Sequence, residues 1–400
     1  MEECPVSLRG PRAGRLQRHL LTGSLRAGRA GGPRSAVPLG ANLSGLAAAA
    51  RFHRISGYVL RGVTGLSPEV VAALQHDVDE AVATHLRALA DHRRVQALLM
   101  AAGVEHLVVK GPVLAEHHHG GPDLRAYRDL DLLVRGRDLR VAWTELAAAG
   151  LGVVDRNWDL LTEAVAGEVH LVAPFGTAID LHWALVFRNS LRQVFPIDVE
   201  ELFAASREVA VGSGTMRTLD PADTLLHLCL HAAQSGASRL VWLQDVSRCV
   251  EVDRPEWGDV VERARRRGLG PVVALVLRRA AAALGTPVSR AILHALDPSH
   301  TSRAAMAVAD ALTPAAGASS RGSPARLLAK STRGTWAATR SEVGRKAASL
   351  RPSGLALLRD PGGRPDQGAD LLVEAGGDAG RERYFRAVEA EAEPTMGLPL

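Results

Sequence analysis

The chain has 400 residues and a mass of 42.4 kDa, room for two to four structural units, with 46% hydrophobic and 23% charged residues. That balance excludes disorder throughout, and the absence of any run of about 18 uncharged apolar residues excludes a membrane-spanning helix. The formal charge of +5 comes from 48 basic and 43 acidic residues, but lysine stands only at 110, 330 and 346. Arginine abundance here reflects coding composition and is not in itself evidence for nucleic-acid binding.

Three scattered cysteines, Cys4, Cys229 and Cys249, make neither a disulfide framework nor a zinc site, which points to a reducing cytoplasm. Residues 1–40 are rich in Arg, Gly and Pro and lack an apolar signal core; they read as a disordered leader rather than a basic nucleic-acid arm. Residues 41–103 read as a helical segment. Ser67-Pro68-Glu69 is a helix start, followed by Val70, Val71, Leu74, Val78 and Val82 at helical spacing, with Gly103 as the stop.

Residues 104–205 change character. His106–Val109 is a short β-prone run ending in Lys110-Gly111-Pro112, and Val113–His119 reads as a short helix. Asp129–Val134 reads as a strand, Leu139–Ala149 as a helix, and Val169–Ala173 with Thr177–Leu185 as two strands joined by a turn. From 206 to 312 the pattern is helical, with segments Leu225–Ala233, Arg239–Val250, Trp257–Gly268, Pro271–Leu284, Val288–Leu296 and Ala304–Leu312. Residues 313–400 combine a low-complexity region, a basic amphipathic stretch Leu327–Leu350 and an acidic tail. The expected architecture is α+β: a small mixed β-sheet flanked by N-terminal helices and a C-terminal helical domain.

Asp129-Leu130-Asp131 places two carboxylates on one strand face, where they repel unless a cation lies between them. Mg²⁺ suits such oxygen ligands, though a solvent-facing strand edge explains the pair equally well. Asp180, inside the apolar run Ala178–Leu185, adds a third acid. If the two strands are neighbours, Asp129, Asp131 and Asp180 form the arrangement that holds two Mg²⁺ ions for nucleotidyl transfer. The i, i+4 pair His227 and His231 has zinc-compatible spacing but no third ligand nearby, which favours packing or substrate contact. His182 follows Asp180 on the same strand face, and packing or contact with nucleotide fits it equally. P-loop, GxGxxG and GxSxG motifs are absent.

The segment VVKGPVLAEHHHGGPDLRAYRDLDLLV, then AIDLHWAL, DTLLHLCLHAA and RLVWLQDV, resembles the uncharacterised nucleotidyltransferase family of the polymerase-β-like superfamily, over roughly residues 67–312. The resemblance implies that Asp129 and Asp131 are the metal-binding pair and Asp180 the third catalytic acid. It also implies that Lys110, Gly111 and Arg125 bind the nucleotide. An NTP is then the donor, and the acceptor is a small molecule, peptide or protein rather than nucleic acid or membrane. Two residues depart from the wider pattern: Pro112 replaces a hydroxyl residue, and Arg128 directly precedes the acidic pair. They support an alternative, a nucleotide-binding regulatory protein without turnover. A third reading is a nucleic-acid-associated protein that uses the basic termini.

Overall fold

A computed structural model of the chain describes residues 15–27, 34–41, 43, 45–237, 239–297, 299, 304, 307 and 371–393. The expected helix Ala304–Leu312 lies largely, and the basic stretch Leu327–Leu350 wholly, outside the described residues. The described residues form two units, one within 15–80, 123–126 and 225–307, the other within 81–122, 127–224 and 371–393. No helix among the described residues is long and apolar enough to cross a membrane.

In the first unit the apolar 3.6-residue periodicity becomes helices Leu240–Val252, Trp257–Arg266, Gly270–Leu284 and Arg290–Leu296. Ser289 caps the last by accepting from Ile292 N at 3.2 Å, and Gly285, at φ 74°, ends the one before it. The segment expected as a disordered leader differs from that expectation, because Arg15–Ala27 is a helix. Its Leu20, Leu21 and Leu25 are fully buried. Their spacing places them on one helical face, a stripe that the surrounding arginines conceal when composition alone is averaged.

The second unit holds five strands in one mixed sheet: β1 (Leu107–Val108), β2 (Asp129–Leu133), β3 (Gly152–Val153), β4 (Glu168–Val172) and β5 (Ala178–His182). Their order is β1-β2-β5-β4-β3, with β2 and β5 parallel and the other pairs antiparallel. Alternation divides the residues between two faces. Leu130, Leu132, Val169, Leu171, Ile179 and Leu181 are buried on one face, in a core shared with helix Leu139–Ala148 and with helix Gly377–Ala392. The opposite face carries the polar residues described below.

Two elements of this unit depart from the sequence expectation. The start of the segment read as helical forms a hairpin, β6 (Arg207–Val211) and β7 (Gly214–Thr218), turning through Gly212 at φ 59°. Within the acidic tail, helix Gly377–Ala392 buries Tyr384, Phe385 and Val388 against the sheet core. Each such side chain contributes about 1.5–3 kcal/mol through burial. Arg140 anchors the same helix by ion pairs to Glu382 and Glu389.

Candidate active site

Pleating turns Asp129, Asp131 and Leu133 of β2 to one side and Leu130 and Leu132 to the core. Parallel register sets Asp131 opposite Asp180 and Leu133 opposite His182. On the other flank, antiparallel register sets Glu168 opposite His182 and His170 opposite Asp180. Three adjacent strands therefore bring Asp131, Asp180, His182, Glu168 and His170 to one face. Asp129 lies one pleat further along β2, partly exposed.

Lys110 and Gly111 enter from the turn after β1. Lys110 Nζ is 2.7 Å from Asp131 Oδ1. Gly111 sits at φ 59°, and a Cβ there would come within 3.2 Å of the Asp129 carbonyl oxygen and 3.6 Å of the Tyr127 ring. Only glycine takes this conformation without strain. Beneath the turn, Tyr127 Oη donates to His85 Nδ1 at 2.9 Å, and His85 Nε2 donates to Glu116 at 2.7 Å. That buried relay fixes the floor on which the turn rests.

The face is a chain of buried opposite charges. His182 bridges two acids, with Nε2 3.2 Å from Asp131 Oδ1 and Nδ1 2.9 Å from Glu168 Oε2. His170 Nδ1 donates to Asp155 at 2.8 Å, and Nε2 faces Glu168 and Asp180. Burial alone would drive every one of these groups toward neutrality. For Asp131 burial is outweighed by the Lys110 ammonium and by His182, which hold its carboxyl well below the usual carboxylate range. For both histidines burial is likewise outweighed: Glu168 and Asp131 push His182 up to about 9, and Asp155 and Glu168 push His170 up to about 10. Asp180 goes the other way. Burial, then the Glu168 charge, raises it to about 6.

Four buried carboxylates, Asp131, Asp155, Glu168 and Asp180, thus face three cations, Lys110, His170 and His182, before Asp129 is counted. Asp131 Oδ2 is buried without a hydrogen-bond partner among the described residues. A charge deficit beside an unsatisfied carboxylate oxygen fits a bound divalent cation. Ligand atoms of Asp131, Asp180 and His182 lie within 4.8 Å of one another, as do those of Glu168, His170 and Asp180.

Of the residues singled out from the sequence, Asp131, Asp180 and Lys110 come together, and Gly111 and Asp129 adjoin them. Arg125 does not join this group. It belongs to the helical unit, where its guanidinium makes a bidentate buried pair with Asp245 at 3.0 and 3.1 Å. His227 and His231 also belong to that unit, and no cluster of three possible ligands among the described residues includes them. The sequence reading missed Glu168, His170 and Asp155. A signal was there: in E-V-H and D-L-H, on strands joined by a short turn, antiparallel pairing places each acid opposite the other strand's histidine.

A family model described as an uncharacterised nucleotidyltransferase matches residues 40–285, more than half of the chain. The chain belongs to this family. The match takes in the acidic face and helices Leu240–Val252, Trp257–Arg266 and Gly270–Leu284 of the helical unit, and it begins earlier and ends earlier than the motifs alone suggested. Among solved structures, an antigenic nucleotidyltransferase-like protein from Paracoccidioides brasiliensis is similar over 52% of this chain and 97% of its own. Sequence identity is 16% and the TM-score 0.33, too low to carry residue roles across. No curated protein matches the chain.

Proposed function

We propose that the chain is a divalent-metal-dependent nucleotidyltransferase. It moves a nucleoside monophosphate from an NTP to a hydroxyl or phosphate acceptor and releases pyrophosphate. The observation that carries this reading is Asp131 set opposite Asp180, with Asp131 Oδ2 buried and unsatisfied. Asp129, Asp131 and Asp180 would hold two Mg²⁺ ions. Bound there, Mg²⁺ neutralises triphosphate charge and lowers the pKa of an attacking hydroxyl.

The protein's own groups divide the remaining work. Asp129, at the partly exposed rim, is open to the triphosphate side. Asp180, deeper in the face, is suited to the acceptor hydroxyl. Gly111, lacking a side chain, lets backbone approach phosphate, and the Lys110 ammonium is a point charge for the same group. His182 holds Asp131 and Glu168 in place through its two ring nitrogens. A triphosphate role for Arg125 requires breaking its buried pair with Asp245, so we leave it outside the nucleotide set. Acceptors consistent with this site are a small molecule, a peptide or a protein.

One observation favours the alternative of nucleotide binding without turnover: Lys110 already neutralises Asp131. Incubating the protein with each of the four NTPs, Mg²⁺ and a cell extract as acceptor source separates the two. Pyrophosphate release that is lost in Asp180→Asn supports transfer. NTP binding with no release under any condition supports the alternative.

A further inference from the structure

Glu168 and His170 on β4 have no assigned task in the transfer reading, yet they stand on the same face as Asp180. His170 Nε2 is 3.5 Å from Glu168 Oε1 and 3.7 Å from Asp180 Oδ1. Charge-assisted hydrogen bonds between such groups close to about 2.7–2.9 Å. By contrast, two ligands bound tetrahedrally to one ion at about 2.0–2.2 Å stand about 3.3–3.6 Å apart. At 3.5 and 3.7 Å, the two separations from Nε2 are longer than such hydrogen bonds and near the spacing of ligands around an ion. All three ligand atoms lie within 4.8 Å of one another.

The surrounding hydrogen bonds have the form of a metal site. His170 Nδ1 is engaged by Asp155 at 2.8 and 3.0 Å, and Asp155 also accepts from the His170 backbone N–H at 2.7 Å. Asp155 is itself buried, so the imidazole is fixed in orientation with Nε2 toward the two acids. A carboxylate on the far nitrogen of a ligating histidine is the usual means of fixing its tautomer and raising its basicity. Glu168 is oriented in the same way: its Oε2 accepts from His182 Nδ1 at 2.9 Å, which turns Oε1 toward His170.

We infer that Glu168, His170 and Asp180 form a metal site with one imidazole and two carboxylates, which takes a divalent transition-metal ion, Mn²⁺ or Zn²⁺, in preference to Mg²⁺. The imidazole sets the preference, because Mg²⁺ selects oxygen ligands, whereas nitrogen and oxygen together suit the later ions. Three protein ligands leave at least one coordination position for water or substrate. The site shares Asp180 with the proposed transfer centre but does not depend on turnover or on NTP, and the ion displaces the proton that Nε2 of the cationic His170 otherwise carries.

The test is Mn²⁺ binding to the full chain without nucleotide, followed by calorimetry and by pulsed EPR, in which a directly bound imidazole gives a ¹⁴N coupling. The expected result is one Mn²⁺ ion with histidine nitrogen coupling, lost in His170→Gln, and Mg²⁺ binding at least 10-fold weaker. Asp155→Asn leaves all three ligands in place and should weaken Mn²⁺ affinity about 10- to 100-fold. That conservative variant keeps the proposal testable should His170→Gln fail to fold. Mn²⁺ bound without nitrogen coupling, unchanged affinity in Asp155→Asn, or no binding in the absence of NTP would each overturn the site. None of those three results bears on pyrophosphate release, so the transfer reading is tested separately.

Discussion

Replacing Lys110 with methionine keeps most of the side-chain volume and removes one charge from a buried pair. Nζ and Asp131 Oδ1 are 2.7 Å apart, with side-chain exposures of 12% and 2%. At an effective dielectric constant near 20 the attraction is about 6 kcal/mol, most of it offset by desolvation. What decides the outcome is that Asp131 stays behind, charged and buried, with His182 as its remaining cationic partner. Removing one member of a buried pair costs about 3–5 kcal/mol, and we expect about 3 here because His182 stays. If this face binds divalent cations, the bared carboxylate should bind one more tightly. Thermal melts of wild type and Lys110→Met, each with EDTA and with about 10 mM Mg²⁺, above millimolar dissociation constants, supply the comparison. The expected result is a lower melting temperature in EDTA that Mg²⁺ partly restores in the variant, beyond any effect on wild type. An equal loss with and without metal would refute the reasoning.

Asp180→Asn should keep the fold and Mg·NTP affinity but abolish transfer; burial already raises the Asp180 pKa to about 6, so a neutral isostere suits the site. Loss of stability and nucleotide binding together, in calorimetry and melts on one preparation, would instead mark Asp180 as structural. Acid should destabilise both units. Burial, then Arg239, lowers His53 to about 4, and burial chiefly lowers His92 and His106 to about 4 as well. Their stabilising contribution is present above the unfolded-state value of 6.5 and is lost as pH falls toward 4, up to about 3 kcal/mol each. Urea titrations between pH 7 and 4 should show that slope, flattened in His53→Gln for the helical unit, and an unchanged slope would contradict it. Truncation after residue 370 removes Tyr384, Phe385 and Val388 from the sheet core and should destabilise that unit by on the order of 5 kcal/mol. A truncated chain with wild-type melting would show that helix Gly377–Ala392 contributes nothing there.

Local pattern revealed what local pattern encodes. β2 and β5 were legible because Asp129-Leu-Asp131 and Ile179-Asp180-Leu181 alternate and their apolar members are all buried. Gly111 and Gly103 were legible because their positive φ values suit glycine. Helix Gly377–Ala392 was hidden by its many charges: its core contacts are Tyr384, Phe385 and Val388, three residues among Asp, Glu and Arg that find their partners more than 200 residues earlier. Helix Arg15–Ala27 was concealed in the same way. At the site, the three acids stood out by motif, whereas Glu168, His170 and Asp155 acquire meaning only through strand register. That register depends on which residues the turn between β4 and β5 sets opposite one another. The Arg125–Asp245 pair was invisible because it joins positions 120 residues apart.

If the acidic face binds a metal–nucleotide complex, its β2 carboxylates carry that binding. Titrating Mg·NTP into wild type and into the Asp129→Asn/Asp131→Asn double variant, with folding checked by circular dichroism, tests it most directly. Mg²⁺-dependent binding to wild type and no measurable binding to a folded double variant are the expected results. Equal Mg·NTP affinity in the two proteins would contradict it.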